Sequence, residues 1–409
     1  MAPSVAAPHV LNIADLRLLA KRRLPRVVFD YIDGGADAEV TLRDNVKAYE
    51  ELTFRPRGAV AIPAIDLKTT ILGAQLELPF ILAPVGSTRL FYPNGEVLAA
   101  RAAGKAKTAY VLSTLSGTPM EQVRAATSGP AWYQVYLCGG REASINMLKR
   151  AKAAGFTALV VTIDTGVPGL RERDLRNGIK ELLGRGVSGL PYLGQMITRP
   201  AWIAGMLADG GLMKFPNVLL PSGPMPYADV GKTLEESVVC WDDLKWIRDL
   251  WDGKIVVKGV HTAEDAGRVV EEGADALIVS NHGGRQLDGV PGSIRSLPEV
   301  LAAVDGRIEV LVDGGIRNGG DVVKALSLGA KGVLIGRAYA YGLSAAGEPG
   351  VSRAIEILRT GIVRTMKLLG VSSVRDLNRS YLDVPAGWLP GDARNERLDA
   401  GNRNLKTHV

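Results

Sequence analysis

The chain of 409 residues is 46% hydrophobic and 22% charged, the balance of a folded globular protein and not of a disordered or fibrous one. Its net charge of +6 is dispersed, so no basic stripe marks a nucleic-acid surface, although anionic substrates or surfaces are favoured. Two cysteines, Cys138 and Cys240, make neither a disulfide framework nor a metal cluster, which points to a reducing compartment such as the cytoplasm.

Met1 to Val10 lack the basic start and apolar core of a signal peptide, and no run of about 18 apolar residues could cross a membrane. From Leu11 to about Glu51 the spacing predicts helices. Ile13, Leu16, Leu19 and Ala20 keep a helical period, Asp15 sits early where the helix dipole favours an acid, and Gly34-Gly35 end a further helix. Residues 1–77 are expected to form an N-terminal helical cap on the main fold.

From Leu78 onward apolar strand-like runs alternate with helical segments: Phe80–Ala83, Tyr110–Leu112, Trp132–Val135, Ala158–Val161, Ile255–Val257, Ala276–Val279, Val310–Val312 and Gly332–Ile335. Three of them share a local pattern, a helix-ending Gly155, Gly273 or Gly329, a short spacer, then the β-rich run. Eight strand-helix units in an α/β chain predict a (β/α)8 barrel, the TIM-barrel architecture, in a single domain over residues 1–409. The rival doubly wound sheet would open with a Gly-x-Gly-x-x-Gly turn, which is absent. The rhythm breaks at residues 172–252, far longer than an ordinary βα loop. Within that stretch residues 196–221 mix Trp202, Leu207, Met213 and Phe215 with Arg199 and Lys214. Packing onto the barrel or a neighbouring subunit is the first expectation, and peripheral contact with the inner face of a membrane the second.

Barrel sites gather at the carboxyl ends of the strands. The first end offers Pro84, Val85 and Gly86, the second Ser113, the third Gln134 and Tyr136, the fourth Thr162 and Asp164 followed by Arg171. The fifth brings Lys258. The sixth brings Ser280-Asn281-His282-Gly283-Gly284-Arg285-Gln286-Leu287-Asp288, where a proton-moving imidazole and a carboxylate-gripping guanidinium share a glycine turn. Asp164 is placed to orient His282, and Lys258 to set positive charge beside an electron-accepting ring. Asp313-Gly314-Gly315-Ile316-Arg317 and Gly336-Arg337 end the last two strands, where barrels bind phosphate.

The motif from Ser280 to Asp288, with Phe29-Asp30-Tyr31, Gln134-Val135-Tyr136, Thr162-Ile163-Asp164, Val257-Lys258-Gly259, the Asp313 turn and Gly336-Arg337, resembles the FMN-dependent 2-hydroxy acid oxidising enzymes over nearly the whole chain. That family includes glycolate oxidase, L-lactate dehydrogenase and mandelate dehydrogenase. The resemblance implies FMN as cofactor, a 2-hydroxy acid as substrate and a quinone, another carrier or O2 as electron acceptor, often in a homotetramer. His282 would be the base, taking either the C–H proton or the O–H proton, with Asp164 paired to it. Tyr31, Arg171 and Arg285 would hold the carboxylate and Tyr136 the hydroxyl or keto oxygen. Lys258 would sit by the N1/O2 edge of the flavin and favour its anionic reduced form. Pro84, Val85, Gly86, Ser113, Gln134, Thr162 and Ser280 would line the ring, and Asp313, Gly314, Gly315, Arg317, Gly336 and Arg337 would serve the phosphate end. No metal is implied.

Two departures bear on the substrate. Leu115 stands where glycolate-type members carry a bulky aromatic, and Gly86 is smaller than the usual alanine, so both leave room for an acid larger than glycolate. Arg171-Glu172-Arg173-Asp174-Leu175 also reads as mandelate-like. Two other readings are a non-redox flavin isomerase of the isopentenyl-diphosphate type, which would not need two arginines beside a histidine, and an idle barrel acting as a binding partner, which would have lost one of them.

Overall fold

The computed structural model describes residues 10–179, 181, 192–211 and 213–389. Eight parallel strands close into a barrel: β1 (Phe80–Leu82), β2 (Tyr110–Ser113), β3 (Ala131–Val135), β4 (Ala158–Thr162), β5 (Lys254–Val260), β6 (Ala276–Val279), β7 (Glu309–Asp313) and β8 (Gly332–Ile335). Strands adjacent in sequence pair in space, and β8 returns to β1 with Val333 opposite Phe80. The expected (β/α)8 barrel is therefore present. Its strands are apolar throughout because both faces are buried.

The two faces do different work. Tyr133, Leu159, Leu277 and Val312 point outward and pack beneath the helices. Ile81, Val111, Trp132, Val160, Val256, Ile278, Leu311 and Leu334 fill the interior. A strand repeats every second residue, so the next inward layer toward the carboxyl ends is Ala83, Ser113, Gln134, Thr162, Lys258, Ser280, Asp313 and Gly336. That layer is small or polar, resting on an apolar floor. The opposite mouth is closed by the hairpin of Thr69–Ile71 with Ala74–Leu76, whose Ile71 and Leu76 join the interior cluster. The Leu72 N–H fastens it to the Glu309 carboxylate at 2.9 Å.

Gly155, Gly273 and Gly329 end their helices with φ of +85°, +73° and +118°, where a side chain would be strained. Ahead of the barrel lie α1 (Ile13–Arg23), α2 (Arg26–Asp33) and α3 (Val40–Glu51). Asn12 and Asp15 cap the start of α1 reciprocally. Gly34 and Gly35 do end α2, but for room and not for a left-handed turn, since Gly34 has φ −75°. A Cβ on Gly35 would stand 2.7 Å from the Gly284 carbonyl oxygen.

The interruption after β4 holds the helices Glu172–Arg176 and Pro200–Ala208, a hairpin of Lys214–Leu220 with Gly223–Pro226, and the helix Val230–Glu235. Its described part docks on its own barrel. Buried Trp202 donates its indole N–H to the Leu90 carbonyl at 2.7 Å, Asn217 accepts from the Met120 N–H at 2.8 Å, and Arg89 pairs with Asp209 at 2.7 Å. The helix Trp241–Leu250, inside the expected long loop, leads into β5 and packs against the helix Gly140–Ala154 as a barrel helix does. Leu212 and residues 180 and 182–191 of that loop lie outside the described residues.

Candidate active site

Beyond β6 the chain enters the turn that carries His282. This residue has φ +57°, a left-handed conformation uncommon for a side chain of its size. Its N–H donates to Ser280 Oγ at 3.1 Å. Imidazole Nδ1 lies 2.8 Å from Asp164 Oδ1, just past β4, and Nε2 lies 3.4 Å from the Tyr136 hydroxyl, just past β3. With Nδ1–H donating to Asp164, Nε2 keeps its lone pair for a proton. Burial by itself raises the Asp164 carboxyl, but the charges of His282 and Lys258 outweigh it and hold the group below its ordinary value. Burial, reinforced by Asp164, pushes the Tyr136 phenol well above its ordinary value, so it stays a neutral donor.

Lys258 rises from β5, 4% exposed, with Nζ 2.7 Å from Ser280 Oγ and 3.4 Å from Asp313 Oδ2. Burial opposes its charge, yet Asp313 and Asp164 outweigh burial and raise its pKa. A polar ladder crosses the layer beside it: Ser113 Oγ donates to Gln134 Oε1 at 3.2 Å and Gln134 Nε2 donates to Thr162 Oγ1 at 3.0 Å. Pro84, Val85 and Gly86 form a half-buried rim, and a Cβ on Gly86 would lie 3.2 Å from Leu115 Cβ.

At one side stand two guanidinium groups. Arg285 donates to the Tyr31 carbonyl at 2.6 Å and lies 4.9 Å from the Tyr31 ring centre. Arg171 lies 5.8 Å from the same centre and pairs with Asp174 at 3.0 Å. Among the described residues no carboxylate forms an ion pair with Arg285. Burial, and then the like charge of Arg171, lower its pKa, and an incoming anion would relieve both effects.

On the other side, past β7, Gly314 and Gly315 take φ of +92° and +81°. A Cβ on Gly314 would stand 2.8 Å from Asn45 Oδ1 of α3, and Gly315 presses still closer to the Asn45 carbonyl. Arg317 bonds through Nη1 to its own neighbour, the Ile316 carbonyl, at 2.9 Å. The helix Arg337–Ala346 begins here, and its first N–H groups have no partner within the helix. The Arg337 side chain, expected near phosphate, instead spends Nε, Nη1 and Nη2 on the carbonyls of Ile32, Gly283 and Gly34.

Other contributors are not singled out by the sequence pattern. Gln286 donates to the Asp164 and Val167 carbonyls at 3.0 and 2.9 Å and so ties the loop after β4 to the turn that carries His282. Asp288 accepts the N–H groups of Val40 and Thr41 at 3.1 and 2.8 Å, capping α3 across 248 and 247 residues. Asn281 and Asn45 bond reciprocally at 2.9 and 3.0 Å. Tyr227, from the interrupting segment, stacks on Phe215 with ring centres 6.0 Å apart. Burial pushes its phenol well above the ordinary value, and Tyr31, Arg171, Asp174 and Arg285 all act on it. Polarity and position in a motif could have flagged Gln286 and Asp288, but nothing in the chain's periodicity marks Tyr227.

Comparison with known proteins agrees with this arrangement. L-lactate dehydrogenase of Caulobacter vibrioides is 42% identical over 381 residues, covering 91% of this chain and 97% of the relative. The L-lactate dehydrogenase of Acinetobacter baumannii is 43% identical over 377 residues, covering 90% and 96%. Among solved structures, the monotopic membrane protein (S)-mandelate dehydrogenase superposes with a TM-score of 0.86 at 35% identity, covering 92% of this chain and all of that one. A mandelate oxidase gives 0.77 at 35% identity, covering 91% and 98%. The model of the FMN-dependent dehydrogenases matches residues 20–384, and with a barrel of the same architecture around it, this chain belongs to that family.

Proposed function

We propose that this FMN-dependent 2-hydroxy acid dehydrogenase oxidises an (S)-2-hydroxy acid larger than glycolate, such as lactate or mandelate, to the 2-keto acid. The observation that carries the reading is the His282–Asp164 pair facing a neutral Tyr136 beside the unneutralised Arg285. Arg285, Arg171 and Tyr31 hold the substrate carboxylate, and the Tyr136 hydroxyl meets the substrate oxygen. Asp164 keeps His282 in the tautomer whose Nε2 accepts a proton from the substrate, and its carboxylate then stabilises the imidazolium.

The residues present fit FMN. Asp313 Oδ1 is buried with no hydrogen-bond partner, an acceptor suited to a polyhydroxyl chain. The layer of Ser113, Gln134, Thr162, Lys258 and Ser280 suits a flat heteroaromatic ring, with the Lys258 ammonium beside its polar edge. Arg317 and the amides of Gly314, Gly315, Gly336 and Arg337 would hold the phosphate. FMN held there would supply the two-electron acceptor that the oxidation needs.

A quinone or another carrier is the proposed acceptor. Among the described residues no helix is long and apolar enough to cross a membrane. In the segment 196–221, however, Ile197 is 71% and Leu207 65% exposed, which supports peripheral membrane contact there; the cytoplasmic side and a homotetramer are proposed from the family likeness alone. Anaerobic mixing with mandelate, L-lactate and glycolate decides the substrate class. The yellow enzyme should bleach with the first two at a higher kcat/KM than with glycolate. Glycolate matching or beating them removes the size argument, and no bleaching with any acid removes the redox reading.

A further inference from the structure

The carboxyl end of α2 carries free carbonyls, because those of a helix's last turn find no donor within the helix, and they form the negative end of the helix dipole. Here they meet the guanidinium groups of two half-buried arginines. Arg285 takes the carbonyls of Tyr31 and Gly34 at 2.6 and 3.2 Å. Arg337 takes those of Ile32 and Gly34 at 2.9 and 2.7 Å, then reaches over to the Gly283 carbonyl at 2.8 Å. The Gly34 oxygen therefore bridges the two arginines. A backbone bond runs alongside, from the Ala36 N–H to the Gly284 oxygen at 2.8 Å. The fit has no slack, since a Cβ on Gly283 would stand 2.7 Å from Arg337 Nη1.

We propose that Arg337 is a positioning residue for the reaction, a clamp that bolts the end of α2 to the turn carrying His282 and fixes Arg285 relative to the imidazole. This rests on the proposed roles of His282 and Arg285. A guanidinium is suited to it because its planar fork reaches acceptors on two segments at once, which a lysine ammonium cannot. Burial lowers the Arg337 pKa to about 10, which leaves it charged at neutral pH. Helix carbonyls supply its negative counterpart without a carboxylate, so no acid competes with the substrate for the neighbouring Arg285.

The test compares Arg337→Lys and Arg337→Gln holoenzymes with the wild type. Both should bind FMN within about threefold of wild type, while KM for the 2-hydroxy acid rises by about tenfold to a hundredfold and kcat falls less, as a displaced carboxylate grip would give. Loss of FMN affinity with KM unchanged in the FMN-saturated variants would make Arg337 a phosphate ligand instead. Unchanged behaviour throughout would make the clamp dispensable. Hydrogen exchange gives a reading independent of substrate: the Ala36 amide, which bonds across to the Gly284 oxygen, should exchange faster in both variants than in wild-type holoenzyme, and unchanged exchange overturns the proposal. If no acid bleaches the wild type, the functional reading fails while this exchange result still decides the clamp.

Discussion

His282 combines a strained backbone with a well-held ring. The left-handed turn costs conformational energy, and the bonds from its N–H to Ser280 and from Nδ1 to Asp164 hold the ring despite it. Replacing His282 with Gln should keep FMN binding and lower the rate of anaerobic flavin bleaching by about a hundredfold to ten-thousandfold, the usual share of a positioned base. Asp164 makes a pH-dependent contribution to stability. Its folded pKa is depressed, so its stabilisation is present above the ordinary carboxylate pKa of about 3.9 and lost as pH falls through the lower folded value. The difference in Tm between wild type and Asp164→Asn should therefore shrink as pH drops from about 6 toward 3, and a difference indifferent to pH would contradict the pairing. These residues are legible in the sequence because reactive side chains fall at strand ends. The three carbonyls that the Arg337 side chain takes are not legible by the same reasoning, because a basic residue in a glycine turn looks the same whatever segment supplies its acceptors.

Among the elements, the eight strands are the most legible, since parallel strands buried on both faces leave continuous apolar runs. The helix Trp241–Leu250 merges into the long loop when read from sequence, because the irregular segment before it ends without a compositional break. Only its packing against the helix Gly140–Ala154 separates the two. Asp288 shows a link that composition cannot reveal, the capping of α3 by a residue from the motif that carries His282. Asp288→Ala should cost about 1 kcal/mol, the value of a lost helix cap, read as a lower urea midpoint at unchanged slope. Because α3 also packs on Gly314 and Gly315, FMN should dissociate faster from this variant than from wild type. The interrupting segment is tied down separately by Trp202. Trp202→Ala should expose residues 192–235 to limited proteolysis while the barrel's own melting changes little, and a coincident loss of both would show that the segment is part of the barrel's folding unit.

For the molecule as a whole, the family, cofactor and architecture are readable from the order of motifs, whereas the docking of the interrupting segment is not. That segment is apolar enough to suit either a barrel surface or a lipid surface, and the structure gives it some of each. Trp202 is buried on the barrel while Ile197 and Leu207 face outward. The hairpin of Thr69–Leu76 has a wider effect than shutting the lower mouth. A cylinder packed with side chains and stoppered at one end leaves, among the described residues, the other end as the doorway, so the reductant and the oxidant must take turns in it. Steady-state rates with acid and acceptor both varied should give parallel double-reciprocal lines, and excess acid should compete against the acceptor. Intersecting lines would mean that the electrons leave by another route.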